Sequence, residues 1–127
     1  MSDEMKLSFS RVTDIIETSK SNALKKVNEK IIKMYWAVGE LLSNESKAAS
    51  FGDSYIDSMS EYIQNQFPGI KGFNRRGLYR MKQFYEIYKD DEFVTTLLTQ
   101  ISWSNHLAIM SKAKTAEERH FYMTLCK

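Results

Sequence analysis

The chain has 127 residues, room for one ordinary domain and too little for two, and its 43% hydrophobic and 27% charged content suits a folded globular protein rather than a disordered tail. Its single cysteine, Cys126, excludes an internal disulfide, and the net charge of +2 makes no overall demand for an acidic partner. No apolar run approaches the ~18 residues of a membrane span and no signal-peptide pattern opens the chain, so a soluble, cytoplasmic protein is expected.

One proline and five glycines leave few breakpoints, and the periodicity between them is helical almost throughout. The first predicted helix runs from about 9 to 43, on Val12, Ile16, Leu24, Val27, Ile31, Met34, Val38 and Leu41. From Leu24 to Leu41 the steps alternate between three and four, the heptad rhythm of a helix–helix seam. Self-association through Leu24, Val27, Ile31, Met34, Val38 and Leu41 is therefore one expectation. Packing of the same stripe against the chain's own domain is the commoner outcome, and the polar run Thr18 to Asn22 interrupts it.

Residues 44–52 read as a polar loop, after which Ser54 caps a second helix to about Gln66, with Tyr55, Ile56, Met59, Tyr62 and Ile63 facing inward. Pro68, Gly69 and Gly72 then force a connection. Asn74 caps a third helix over about 75–89, and Phe73 before the cap pairs with Leu78 as a hydrophobic staple. Leu78, Met81, Phe84, Tyr85 and Tyr88 form its apolar side. Asp90 or Asp91 starts a fourth helix over 91–99, Ser102 a fifth over 103–113 with Leu107 and Met110 inward, and Thr115 with Glu118 a capping box for a sixth over 116–126. The expectation is an all-α bundle of about six helices, a single domain over 1–127, containing a helix-turn-helix-like pair.

Charge is unevenly spread along this plan. Between Tyr62 and Tyr85 there is no acidic residue, while Lys71, Arg75, Arg76, Arg80 and Lys82 give the stretch +5; the remainder carries −3. Such a segment is either a solvated face or the footprint of an anionic ligand. On a wheel of ~100° per residue, Arg76, Tyr79, Arg80 and Gln83 lie opposite the apolar stripe of the third helix, with Arg75 and Lys82 on its flanks. Arginine offers paired donors to guanine or phosphate, glutamine pairs with adenine, and a helix N-terminus favours a phosphate. Tyr79 is either a stacking platform or a half-buried aromatic. Lys71, Asn74, Arg75, Arg76, Tyr79, Arg80, Lys82 and Gln83 are thus the predicted nucleic-acid-binding residues.

Catalytic signals are sparse. His106 and His120 have no companion at ligand spacing, so no metal is expected, and Cys126 has no arranged base. Glu45-Ser46-Lys47 has the Glu-x-Lys spacing of metal-dependent nucleases but lacks the strand and upstream Asp that chemistry needs. No phosphate-cradling loop or Gly-x-Ser-x-Gly elbow occurs, so neither a cofactor nor an enzyme activity is predicted.

Several strings have a familiar order: Met34-Tyr35-Trp36-Ala37-Val38-Gly39-Glu40-Leu41-Leu42, Phe51-Gly52, Phe67-Pro68-Gly69, then Gly72-Phe73-Asn74-Arg75-Arg76-Gly77-Leu78-Tyr79-Arg80-Met81, Phe84-Tyr85, Trp103, His106 and Arg119-His120-Phe121-Tyr122. Together they resemble the N-terminal domain of the bacterial YhcG family. That resemblance implies a helical DNA-binding domain that targets a C-terminal PD-(D/E)xK nuclease domain, with this chain as the targeting half alone. The family usually has Ser or Thr at the Asn74 position and Asn at the Gly77 position. Two functions follow as alternatives: a duplex-DNA-binding module, or a protein-interaction module that uses the first helix without touching DNA.

Overall fold

Forty-six residues, Asp3–Ala48, form one continuous helix, α1. The computed structural model describes residues 2–48 and 54–127; Phe51, Gly52 and the rest of 49–53 lie outside the described residues. The Ser2 hydroxyl accepts from the Met5 amide at 3.2 Å, and Asp3 and Glu4 sit in the first turn, where the helix dipole favours negative charge. At the other end the Ser46 hydroxyl donates to the Leu42 carbonyl at 2.6 Å, and the helix continues through residues predicted as loop. Glu45-Ser46-Lys47 is thus helical, not part of a loop.

The remaining helices are α2 (Ser54–Gln66), α3 (Arg75–Tyr88), α4 (Trp103–Lys112) and α5 (Ala116–Cys126), with no strand among the described residues. The all-α reading holds, with five α-helices where six were expected. Residues 91–99 do not form a helix; two 3-10 turns, Glu92–Val94 and Leu98–Gln100, take their place. The segment is short and rich in threonine, whose branched Cβ disfavours a helix. Tertiary contacts instead pin it: Val94, Leu98 and Ile101 are buried, and the Asn28 amide of α1 donates to the carbonyls of Thr99 and Ile101, both at 3.1 Å.

α3 lies at the centre, with Leu78, Met81, Phe84 and Tyr88 all buried. Its C-terminal half meets Ile32, Val94, Leu98, Ile101, Ile109, Met110 and Met123. Its N-terminal half meets Leu42, Ile56 and Phe73. Tyr35 and Trp103 touch both groups, and their rings lie 4.6 Å apart. Phe84 holds Trp36, Tyr88 and Trp103 edge-on at 5.1 to 5.6 Å, the arrangement that aromatic quadrupoles prefer. α1 crosses α3 at Gly39, where a built Cβ would stand 2.1 Å from the Met81 carbonyl oxygen, so only glycine fits this crossing.

The face that α1 gives to this core runs through Ile32, Tyr35, Trp36, Gly39 and Leu42. The predicted stripe is a different one. Leu24, Val27, Ile31, Met34 and Leu41 are exposed, Leu24 by 71%, and only Val38 packs at the core's edge. Every described residue from Ser2 to Val27 is exposed, so the first half of α1 extends beyond the domain body. The Tyr62 expectation also fails: at 62% exposure it faces away from the core, and α2 buries Ile56, with Tyr55, Met59 and Ile63 beside it.

His106 is fully buried against Phe84, and its Nε2 donates to the Leu98 carbonyl at 2.8 Å while Nδ1 has no partner. Burial pushes its pKa below the usual value, against a smaller upward pull from that carbonyl. A group whose folded pKa is depressed takes up protons more readily when unfolded, so stability rises with pH here. Stability should be full above the unfolded pKa of ~6.5 and fall progressively below it. Urea titrations at pH 7.5 and 5.5 should show a lower midpoint at 5.5, and His106→Gln should flatten the dependence.

Candidate nucleic-acid interface

The connection from α2 to α3 is built by two glycines in left-handed backbone, Gly69 at φ 83° and Gly72 at φ 86°. The Ser60 hydroxyl donates to the Phe73 carbonyl at 3.1 Å, tying the end of this turn to α2. Asn74 then caps α3, its Oδ1 accepting from the Gly77 amide at 2.8 Å. Gly77 is closely covered as well: a Cβ there would meet the Gly72 carbonyl oxygen at 1.9 Å. Gly77 is therefore a close fit between turn and helix.

The predicted residues do share one region, though not on equal terms. Arg76 and Gln83 are exposed and Arg80 half-buried on α3, and Lys71 is exposed in the turn. Arg76, Arg80 and Lys71 make no ion pair with any described residue. Arg75, in contrast, reaches back to α2, where its Nη1 lies 3.1 Å from Asp57 Oδ2, and its guanidinium sits over the Tyr79 ring at 5.4 Å. Both ion-pair partners are more than half exposed, so the pair holds Arg75 in place more than it stabilises the fold. Lys82 is directed along the helix to Glu86 at 3.8 Å, a like spacing of i and i+4. Tyr79 packs half-buried at the edge of the core, and the Asn74 side-chain Oδ1 is engaged by the cap.

The fold adds one residue that sequence spacing did not join to this set. Lys114, between α4 and α5, lines a shallow cleft of about 270 Å³ together with Arg80, Gln83, Leu107, Met110 and Ser111. Its ammonium donates to the Ser111 carbonyl at 3.0 Å, which places the charge beside the α3 face. Only the packing of α4 against α3 could reveal it, since 34 residues of chain separate Lys114 from Arg80.

The two histidines are separated by this fold. His106 lies in the core, and His120 of α5 approaches Asp91 Oδ2 with Nε2 at 2.6 Å while its ring stacks on Phe93 at 4.3 Å. Asp91 therefore ties α5 to the preceding 3-10 turn and makes no side-chain cap. Among the described residues no group of three or more His, Cys, Asp or Glu could hold a metal, and no helix is long and apolar enough to cross a membrane. Cys126 is exposed.

No curated protein and no solved structure matched the chain. A family model did: that of the DUF1016 N-terminal domain, the YhcG-type domain whose motifs the sequence carries, matches residues 11–127. The chain belongs to the DUF1016 N-terminal domain family.

Proposed function

We propose that this domain binds duplex DNA through the exposed face of α3. The observation that supports it is a group of cations, Arg76, Arg80, Lys71 and Lys114, that pair with no carboxylate among the described residues, with the exposed Gln83 lining the same cleft as Arg80 and Lys114. A basic helix offered beside a capped turn suits phosphate contacts that position the domain, with Arg76 or Gln83 at base edges. Arg75 and Lys82 take supporting places, because each already has a carboxylate partner. The family resemblance adds a biological setting: targeting of a PD-(D/E)xK nuclease domain, with cleavage done by that domain and not by this one.

The test is titration of a labelled random-sequence duplex at several salt concentrations. Four neutralised phosphates predict a slope of log affinity on log salt of about −3 to −4. Absence of binding at low salt would instead favour the interaction-module alternative, for which the exposed half of α1 is the surface. Metal-dependent cleavage by this chain alone is not expected.

A further inference from the structure

An isolated helix below about 12–15 residues is marginal in water even when rich in alanine, and in proteins most helical stability comes from the packing of an apolar face. Residues 2–27 of α1 have no such cover, yet Met5, Phe9, Val12, Ile16, Leu24 and Val27 stand about half exposed or more along them. Their spacing is symmetric. Met5, Phe9, Val12 and Ile16 are separated by steps of four, three and four; Lys20, Leu24, Val27 and Ile31 repeat the same steps. The two sets mirror each other about Thr18.

We propose that a second copy of this chain covers this stripe, with the two α1 helices antiparallel and crossing at Thr18. In that register Met5 faces Ile31 of the other copy, Phe9 faces Val27, Val12 faces Leu24 and Ile16 faces the aliphatic stem of Lys20. Each layer occurs twice, so eight layers span about 40 Å of helix. The polar run Thr18 to Asn22, which breaks a parallel seam, falls at the two-fold axis, where a polar centre fixes register. Lysine stems cover apolar surface well while their charge stays in water.

Charge selects the direction. Asp3 to Glu17 carries −2 and Lys20 to Lys33 carries +4. An antiparallel pair lays the acidic half of one helix along the basic half of the other, whereas a parallel pair stacks +4 on +4. The stripe also lies beside the core-facing side of α1 and not on it, so pairing leaves Ile32, Tyr35, Trp36 and Leu42 with α3. Closed two-fold pairing of this kind uses the same patch on both copies and does not propagate into fibres.

The first measurement is mass by light scattering, expected at twice the chain mass at micromolar concentration and at the single-chain mass for Val27→Asp. Val27 touches neither core group, so this variant should keep the near-ultraviolet signal of the folded domain. A single-chain mass for the unaltered protein would overturn the proposal. Direction is read by cross-linking in a Cys126→Ser background, using Val12→Cys and Leu24→Cys. Neither variant alone should form a disulfide-linked pair under mild oxidation, while an equimolar mixture should. Cross-linking of either variant by itself would mean a parallel pair and would also overturn the proposal.

Discussion

Gly39→Ala should destabilise the domain, although alanine is the better helix former by about 1 kcal/mol. The new methyl would lie 2.1 Å from the Met81 carbonyl oxygen, 2.7 Å from its carbon and 3.1 Å from the Tyr85 Cβ. Two of these three atoms are backbone, so no side chain can turn aside and the helices must separate. Separation loosens the packing of Leu42, Met81 and Phe84, all almost fully buried. Overpacking of this kind costs roughly 1–3 kcal/mol and occasionally more, and here the upper end is expected because the obstacle is main chain. A melting temperature lower by about 10 °C would follow for a domain of this size. Ala37→Gly supplies the contrast: Ala37 is exposed on the same helix, and the change should cost only the propensity difference of about 1 kcal/mol. If Gly39→Ala melted at or above the unaltered protein, the close crossing of α1 and α3 would be wrong.

Charge reversal on α3 carries the second large effect. Arg76→Glu with Arg80→Glu removes two of the four unneutralised cations, and the salt slope should fall from about −3.6 to about −1.8. At 0.1 M salt that difference alone corresponds to roughly 60-fold weaker binding. Repulsion by the two new carboxylates adds to it. Neither side chain belongs to a core group, so the melting temperature should stay within about 2 °C of the unaltered value, as for surface substitutions in general. Lys114→Glu should lower the slope by about one unit, which separates a cleft shared by α3 and α4 from binding by α3 alone. Arg75→Ala should change affinity less than Arg76→Ala, because Asp57 already holds that guanidinium. An affinity unchanged by the double reversal would remove α3 from the interface.

Much of this fold was legible because its signals are local. Asn74, Ser102 and Thr115 cap the helices that the sequence assigns to them, accepting from Gly77, Asn105 and Glu118. The two left-handed glycines stand in the connection where Pro68 requires a stop. The boundaries of α3 follow from such cues within a residue or so. Where the reading failed, a distant partner had decided the matter. Leu24 to Leu41 keeps a better heptad rhythm than Ile32, Tyr35, Trp36 and Leu42, yet the second set has α3 against it, and of the regular set only Val38 reaches the core's edge. The segment 91–99 offers aspartates and apolar spacing that read as a helix, but Asp91 makes no side-chain cap, and buried Val94 and Leu98, with Asn28 bonded to Thr99 and Ile101, hold it in 3-10 turns. In the candidate interface, spacing alone could place Arg75 and Lys82 on a basic face. It could not show that Asp57, 18 residues earlier, pairs with the first of them.

The two hydrogen bonds from Asn28 to Thr99 and Ile101 mark the last firm attachment of α1 before its long exposed run. Geometrically α1 is one rod; in local free energy it has two regimes that meet at that asparagine. Backbone amides between it and Leu42, where α1 packs on α3, exchange with solvent mainly when the domain opens, whereas those before it need only a few turns to unwind. Deuterium uptake by a dilute, single chain should therefore change abruptly near residue 28, by several orders of magnitude in rate, with no break in the helix to announce it. A protease would find the same boundary, trimming the chain from its start and halting where the amide of Asn28 grips the turn.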